Sequence, residues 1–254
     1  MVEKSFEIEG EKATVRATEQ PSSTADTWTH VPVVYLHVFE GDGEDVWQCL
    51  GDVGVSPIAL VAVAPKSWDN YLTPWPCPPV FRGGRPYEGF AGPQLELLRR
   101  AIKPEAEEIL AQHGIVPSYS ALAGYSLAGL FATWAATQTG SFERVASVSG
   151  SLWYPDLVKY IAGHKPIRCI QRAYFSLGDT EAHTRNRVMR TVQENTRQVA
   201  QRFERAGIVT RFELNPGNHF TDEALRTAQG IRWLLSEEEG GMPADARTIG
   251  GEKS

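Results

Sequence analysis

The stretch that decides the fold is Ala121-Leu-Ala-Gly-Tyr-Ser-Leu-Ala-Gly-Leu130. Within it, Gly124-Tyr-Ser-Leu-Ala-Gly129 is a variant of G-x-S-x-G, with Ala128 where glycine is frequent. Such a motif serves a strand that turns sharply into a helix and leaves a serine at the apex in a strained conformation. Glycines flanking the serine leave room, because side chains there would collide across the turn. Upstream, Ser120-Ala-Leu-Ala123 is short, small and apolar, as a buried strand should be, with Gly114 and Pro117 as punctuation before it. Downstream, Leu127, Leu130, Phe131, Trp134 and Ala135 recur at helical spacing. Strand, serine, helix is the context the motif requires, which makes Ser126 the candidate nucleophile. The competing reading is a tight turn with a solvated serine.

A serine hydroxyl needs a histidine to take its proton, and the histidine needs an orienting acid. When the serine occupies such an elbow, the acid and then the histidine follow it in the chain. Three histidines follow Ser126: His164, His183 and His219. His219 comes after an alternating run, Ile208 to Leu214, and a Pro-Gly turn, and just before the helix-start signal Thr221-Asp-Glu223. A loop after the last strand is where the base belongs. His164, in Ala-Gly-His-Lys-Pro, reads as a surface turn, and His183 as a residue near the acid. Ala173-Tyr-Phe-Ser-Leu177 reads as the preceding strand, and Gly178-Asp-Thr-Glu181 follows it. Asp179 and Glu181 both qualify as the acid, at the carboxyl edge of the sheet where open α/β folds place function.

The oxyanion of acyl transfer needs backbone donors. One is the N–H of Leu127, which opens the helix and gains its dipole. The other is expected from the loop Phe39-Glu-Gly-Asp-Gly43, after the strand Val31 to Val38, with Phe39 or Glu40 as donor.

These residues resemble the enterochelin-esterase-like branch of the α/β-hydrolases, over roughly Val31 to Leu235. Val33-Val-Tyr-Leu36 with its Gly-Asp loop is similar to the family's first core strand and oxyanion loop. Asn70-Tyr-Leu-Thr-Pro74 is similar to the family's R-D-L-T-P segment, with Asn70 and Tyr71 in place of the basic and acidic residues. Ser147-Val-Ser-Gly-Ser-Leu-Trp153 resembles the strand and pocket-lining segment after the elbow. In the family the acid sits three residues after the glycine that ends its strand, and the resemblance therefore favours Glu181 over Asp179. It implies an α/β-hydrolase fold: a mostly parallel central sheet flanked by helices, here with an N-terminal antiparallel hairpin. It also implies ester hydrolysis on small-molecule substrates such as siderophore-type, acyl or sugar-linked esters, without metal or organic cofactor.

Composition fits one α/β domain over 1–236, with a polar tail at 237–254 that is expected to be disordered. The net charge of −6 argues against nucleic acid or an anionic membrane as partner. The N-terminal segment lacks the apolar core of a signal peptide, and no apolar run reaches membrane-spanning length. Cys49, Cys77 and Cys169 are scattered, which suits a reducing cytoplasm.

Phe6-Glu-Ile-Glu9 and Ala13 to Ala17 alternate around Gly10-Glu11 and predict the hairpin. Gln20 to Thr27 is turn-rich, and Ile58 to Val63 is a continuous apolar run expected of a buried parallel strand. Helices are predicted over Gln94 to His113, Arg187 to Arg205 and Asp222 to Leu235. Pro65 to Gly92 reads as one long loop holding Trp68, Tyr71, Trp75, Phe81, Tyr87 and Phe90. It is either a small satellite core or a wall of the substrate pocket, with Trp75, Tyr125 and Trp153 as candidate substrate-binding residues. Arg82 and Arg85 offer charges to an anionic substrate or are plain surface residues. The leading function is a serine esterase; an acyltransferase on the same chemistry and a catalytically silent binding domain are the alternatives.

Overall fold

Apolar runs with β-branched residues form the strands, and the longest of them lie at the centre of the sheet. The computed structural model describes residues 1–18, 28–81, 83–164, 166 and 168–236. The turn-rich segment at 20–27, Arg82 and the 237–254 tail lie outside them. The strands are β1 (Val2–Ile8), β2 (Glu11–Ala17), β3 (Thr29–His37), β4 (Ala59–Ala64), β5 (Ile115–Tyr125), β6 (Arg144–Val148), β7 (Arg172–Gly178) and β8 (Val209–Asn215). They form one 8-stranded sheet in the order β1-β2-β4-β3-β5-β6-β7-β8. β1 pairs antiparallel with β2, and β2 antiparallel with β4; every later pairing is parallel. This is the α/β-hydrolase arrangement with the N-terminal hairpin read from the alternation around Gly10.

The period-2 alternation of β3 builds both faces of the core. Val33 and Tyr35 join one apolar cluster with Val61, Leu122 and Phe131. Val34 and Leu36 join the other with Leu60, Ala121, Val148 and Ile231. Helices cover both faces, as parallel strands require. They are α1 (Glu44–Asp52), α2 (Trp68–Tyr71), α3 (Ala91–Leu97), α4 (Lys103–Ala111), α5 (Leu127–Ala135), α6 (Leu157–Gly163), α7 (Val192–Arg205) and α8 (Glu223–Leu235). α1 and α8 pack on each other over the second cluster. α5 is apolar all round, and all of its residues are buried, the state expected of a helix enclosed on every side. None of the described helices is long and apolar enough to cross a membrane.

Several sequence expectations are corrected. Pro117 does not precede the elbow strand but lies within β5, where the register against β3 shifts between Val31 and Pro32. Pro117 stays in register with Val31, and the bulge leaves Ser118 unpaired before Tyr119 meets Pro32. The helix expected over 94–113 is α3 and α4 joined through a π turn at Leu98–Ile102. The helix expected from Arg187 begins as a 3-10 turn at Met189–Thr191 and becomes α-helical at Val192. The 65–92 segment is not one loop: it contains α2, a bridge between Cys77 and Tyr87, and the start of α3.

Candidate active site

The site lies at the carboxyl ends of the parallel strands. Register there is set by pairing: His37 faces Gly124 across β3 and β5, and Gly178 faces Asn215 across β7 and β8. The loop after β3 therefore runs beside the elbow, and the loops after β7 and β8 run beside each other.

At the elbow, Ser126 has φ 56° and ψ −121°, a strained conformation for a residue with a side chain. A Cβ on Gly124 would come within 2.3 Å of the Ala128 carbonyl carbon, so the first glycine is obligatory. The glycine expected two residues after the serine is Ala128 instead, and Gly129 supplies room elsewhere: its added Cβ would meet Ser147 Oγ at 2.8 Å and the Gly150 Cα at 3.0 Å. The crossing needs one small partner without a Cβ, and Gly124 fills that role.

His219 Nε2 lies 3.0 Å from Ser126 Oγ. Its Nδ1 lies 2.7 Å from Glu181 Oε2, which identifies Glu181, not Asp179, as the carboxylate joined to the histidine. Glu181 Oε1 also accepts the Gly178 N–H at 2.6 Å. Burial pushes the Glu181 carboxyl up, but the hydrogen bonds from His219 and the Gly178 N–H outweigh it and hold the group below the usual carboxylate range. An ionised Glu181 accepts from Nδ1–H, which leaves Nε2 free to accept the serine proton. Asp179 acts on the backbone instead. Its Oδ1 accepts the Gly217 N–H at 2.9 Å and shapes the turn before His219. The other two histidines stay apart. His164 stacks on Tyr160 with ring centroids 4.0 Å apart, and His183 is exposed.

The histidine loop is held by Arg226, which sequence reasoning missed, and by Tyr125, which it read as a substrate-binding residue. Arg226 of α8, only 3% exposed, donates to the Asn218 carbonyl at 2.9 Å and the Pro216 carbonyl at 2.5 Å. The Tyr125 hydroxyl donates to the His219 carbonyl at 2.5 Å. Tyr125 therefore ties strand end to base loop, and burial pushes its hydroxyl up to about 12. The legible signal for Arg226 was its helical spacing to Gly230 and Trp233, which puts a charge on the packed face of an amphipathic helix. Ser151 Oγ, 3.3 Å from Ser126 Oγ, adds a second hydroxyl beside the candidate nucleophile.

No intrachain backbone hydrogen bond is donated by the N–H of Leu127, Phe39 or Glu40 among the described residues. All three are therefore free of a backbone acceptor within the chain. The β3 loop is clamped from the hairpin. Arg16 of β2, 1% exposed, donates to the Asp42 carbonyl at 2.6 Å and its carboxylate at 2.7 Å, and pairs with Glu44 at 2.9 Å. His37, the last residue of β3, is fully buried, and that burial lowers it to about 3, so it is neutral. Gln94 Nε2 lies 2.8 Å from Glu11 Oε2 and 3.0 Å from His37 Nε2. With one amide hydrogen on the carboxylate and one on the imidazole, His37 accepts at Nε2.

Ser126 and His219 open into a cavity of about 490 Å3. Phe39, Trp68, Tyr125 and Phe220 form aromatic walls over Leu36, Val38 and Val46. Of the candidate substrate-binding residues, only Tyr125 lines it. Trp75 and Trp153 do not: they pack with Tyr87, Tyr154 and Tyr160 at the edge of the main apolar core, which corrects the reading of a small satellite core. The Trp75 indole N–H donates to the Pro155 carbonyl at 3.0 Å, which turns the ring away from the cavity. Asn70 binds Glu88 through its side chain, and Arg85 is exposed outside the cavity lining. Among the described residues no three His, Cys, Asp or Glu side chains are grouped to hold a metal ion.

No protein-family model matches the chain. A curated relative, the uncharacterized protein YbbA of Bacillus subtilis (strain 168), is 24% identical over 186 residues, covering 69% of this chain and 72% of that protein. Among solved structures, an IroE-like serine hydrolase from Shewanella oneidensis superposes with a TM-score of 0.69 at 17% identity, covering 91% of this chain and 79% of that one. The siderophore hydrolase EstA from Aspergillus nidulans superposes with a TM-score of 0.67 at 18% identity, covering 92% of each chain. The fold is thus that of structures described as serine and siderophore hydrolases.

Proposed function

We propose that this chain is a serine carboxylic-ester hydrolase of the enterochelin-esterase-like kind, acting through an acyl-enzyme. The observation that carries the reading is one unbroken hydrogen-bonded line, Ser126 Oγ to His219 to Glu181, spanning 3.0 and 2.7 Å. In the first half-reaction His219 Nε2 takes the Ser126 proton as Oγ attacks the ester carbonyl carbon. The Leu127 N–H and an N–H of Phe39 or Glu40 hold the oxyanion. Collapse breaks the ester C–O bond, and the departing alkoxide takes the proton from His219. In the second half-reaction a water gives its proton to His219, attacks the acyl carbon and releases the acid, restoring the Ser126 hydroxyl. Glu181 stays ionised and steadies the imidazolium.

The aligned triad weighs against a silent binding domain. Hydrolysis is favoured over acyl transfer because Ser126 and the 29%-exposed His219 meet solvent, so water reaches the acyl-enzyme. The names of the superposed structures make siderophore-type esters one substrate class, and the aromatic walls make aryl and acyl esters another. The reading includes one catalytic domain over 1–236 and no nucleic-acid or membrane partner. It also includes a cytoplasmic setting, for which the free Cys49, Cys77 and Cys169 speak.

The test is Ser126→Ala. Turnover of a chromogenic short-chain ester is expected to fall about 10⁴- to 10⁶-fold, and labelling by a fluorophosphonate is expected to vanish. An unchanged rate in the purified variant overturns the assignment.

A further inference from the structure

The cavity in front of Ser126 carries formal charge of one sign. Three carboxylates line it, Glu40 after β3, Asp45 in the first turn of α1 and Glu223 in the first turn of α8. No lysine or arginine lines it among the described residues. Asp45 accepts its neighbour's backbone N–H, Val46 N, at 2.8 Å. Glu40, Asp45 and Glu223 are all exposed, and none takes part in an ion pair among the described residues. His37 is neutral, and Arg226 is turned under the site toward loop carbonyls, 4.0 Å from Glu181. Exposed aromatic rings line the same cavity, Phe39 at 68% and Phe220 at 79%.

An anionic group entering this cavity gives up hydration, meets like charge and finds no side-chain cation. Its desolvation goes uncompensated. An uncharged group gains apolar contact with the rings, and a cation adds attraction to both carboxylates and ring faces. We propose that this site discriminates by charge, accepting uncharged or cationic esters and rejecting anionic ones. The inference rests on the serine-esterase reading and specifies its substrate class.

The experiment uses three esters with one common chromogenic alcohol and acyl chains of equal length. The chains end in a tert-butyl, a trimethylammonium or a carboxylate group. At low salt, kcat/KM for the carboxylate ester is expected at least about 10-fold below that for the tert-butyl ester, and the gap narrows at high salt as the field is screened. In Glu40→Gln and Glu223→Gln, the anionic-to-neutral ratio is expected to rise about 3-fold per carboxylate removed. A carboxylate ester cleaved as fast as the neutral one, through Ser126, overturns the inference alone. So does a ratio that neither salt nor the double variant moves. Absence of Ser126-dependent turnover with all three esters overturns the esterase reading and this inference with it.

Discussion

Aromatic side chains between β4 and α3 face two different surroundings. Trp68 turns toward the loop after β3, where its ring meets Phe39 edge to face at 5.5 Å and both line the cavity. Trp75 and Tyr87 turn the other way, onto Trp153, Tyr154 and Tyr160, and the Trp75 indole N–H is spent on the Pro155 carbonyl. The Tyr154 hydroxyl donates to the Trp75 carbonyl at 2.6 Å and closes that cluster. The same residue types thus serve an open wall and the main apolar core, which holds Tyr87, Trp153 and Tyr154. Rings packed into the core hold structure together. Rings left facing a cavity beside a nucleophile are placed to meet a ligand.

Two carboxylates cut across that division and test it most severely. The Glu181 side chain is 5% exposed yet hydrogen-bonds His219, whereas Asp179 is exposed and bonds the Gly217 N–H. Glu181→Gln is expected to lower kcat about 10²- to 10⁴-fold, because the amide no longer holds His219 in its productive tautomer. Asp179→Asn is expected to cost less than about 3-fold, since its Oδ1 still accepts the Gly217 N–H. Steady-state kinetics on the pair decides, and a larger loss at Asp179 reverses the assignment.

The sealed cluster gives the next effect. Trp153→Ala removes a buried ring and is expected to lower stability by about 3–5 kcal/mol in chemical denaturation. The kcat/KM of the folded fraction stays within about 3-fold, and a greater loss returns Trp153 to the substrate site. The open wall gives the smallest effect. Phe220→Ala is expected to raise KM for an aryl ester about 10-fold, the worth of one aromatic contact. Its stability changes by less than about 0.5 kcal/mol, as for an exposed position. Equal denaturation losses at Phe220 and Trp153 erase the distinction between the two groups.

Much of the hydrogen-bonded line from Ser126 through His219 to Glu181 was legible because it obeys local rules. The elbow needs a small residue at Gly124, an apolar strand before Ser126 and an apolar helix after it, all adjacent in the chain. His219 was legible from a strand, a Pro-Gly turn and a helix start in succession. Glu181 could be separated from Asp179 only through a family resemblance, because two carboxylates two residues apart on one loop carry the same local signal.

What the amino-acid order alone determined, then, was the parallel sheet, the turn at Ser126 and the neighbourhood of its partners, since alternation, apolar runs and turn residues act over a few positions. The tertiary structure decided which partner touches which atom. Strand pairing brings the 178–181 and 215–219 loops together, and Arg16, 26 residues before Asp42, clamps the loop beside Ser126. It also decided that Trp75 and Trp153 face away from the cavity while Phe220 faces into it. These are contacts between segments far apart in sequence, where side-chain packing and hydrogen-bond satisfaction across the whole core select one arrangement.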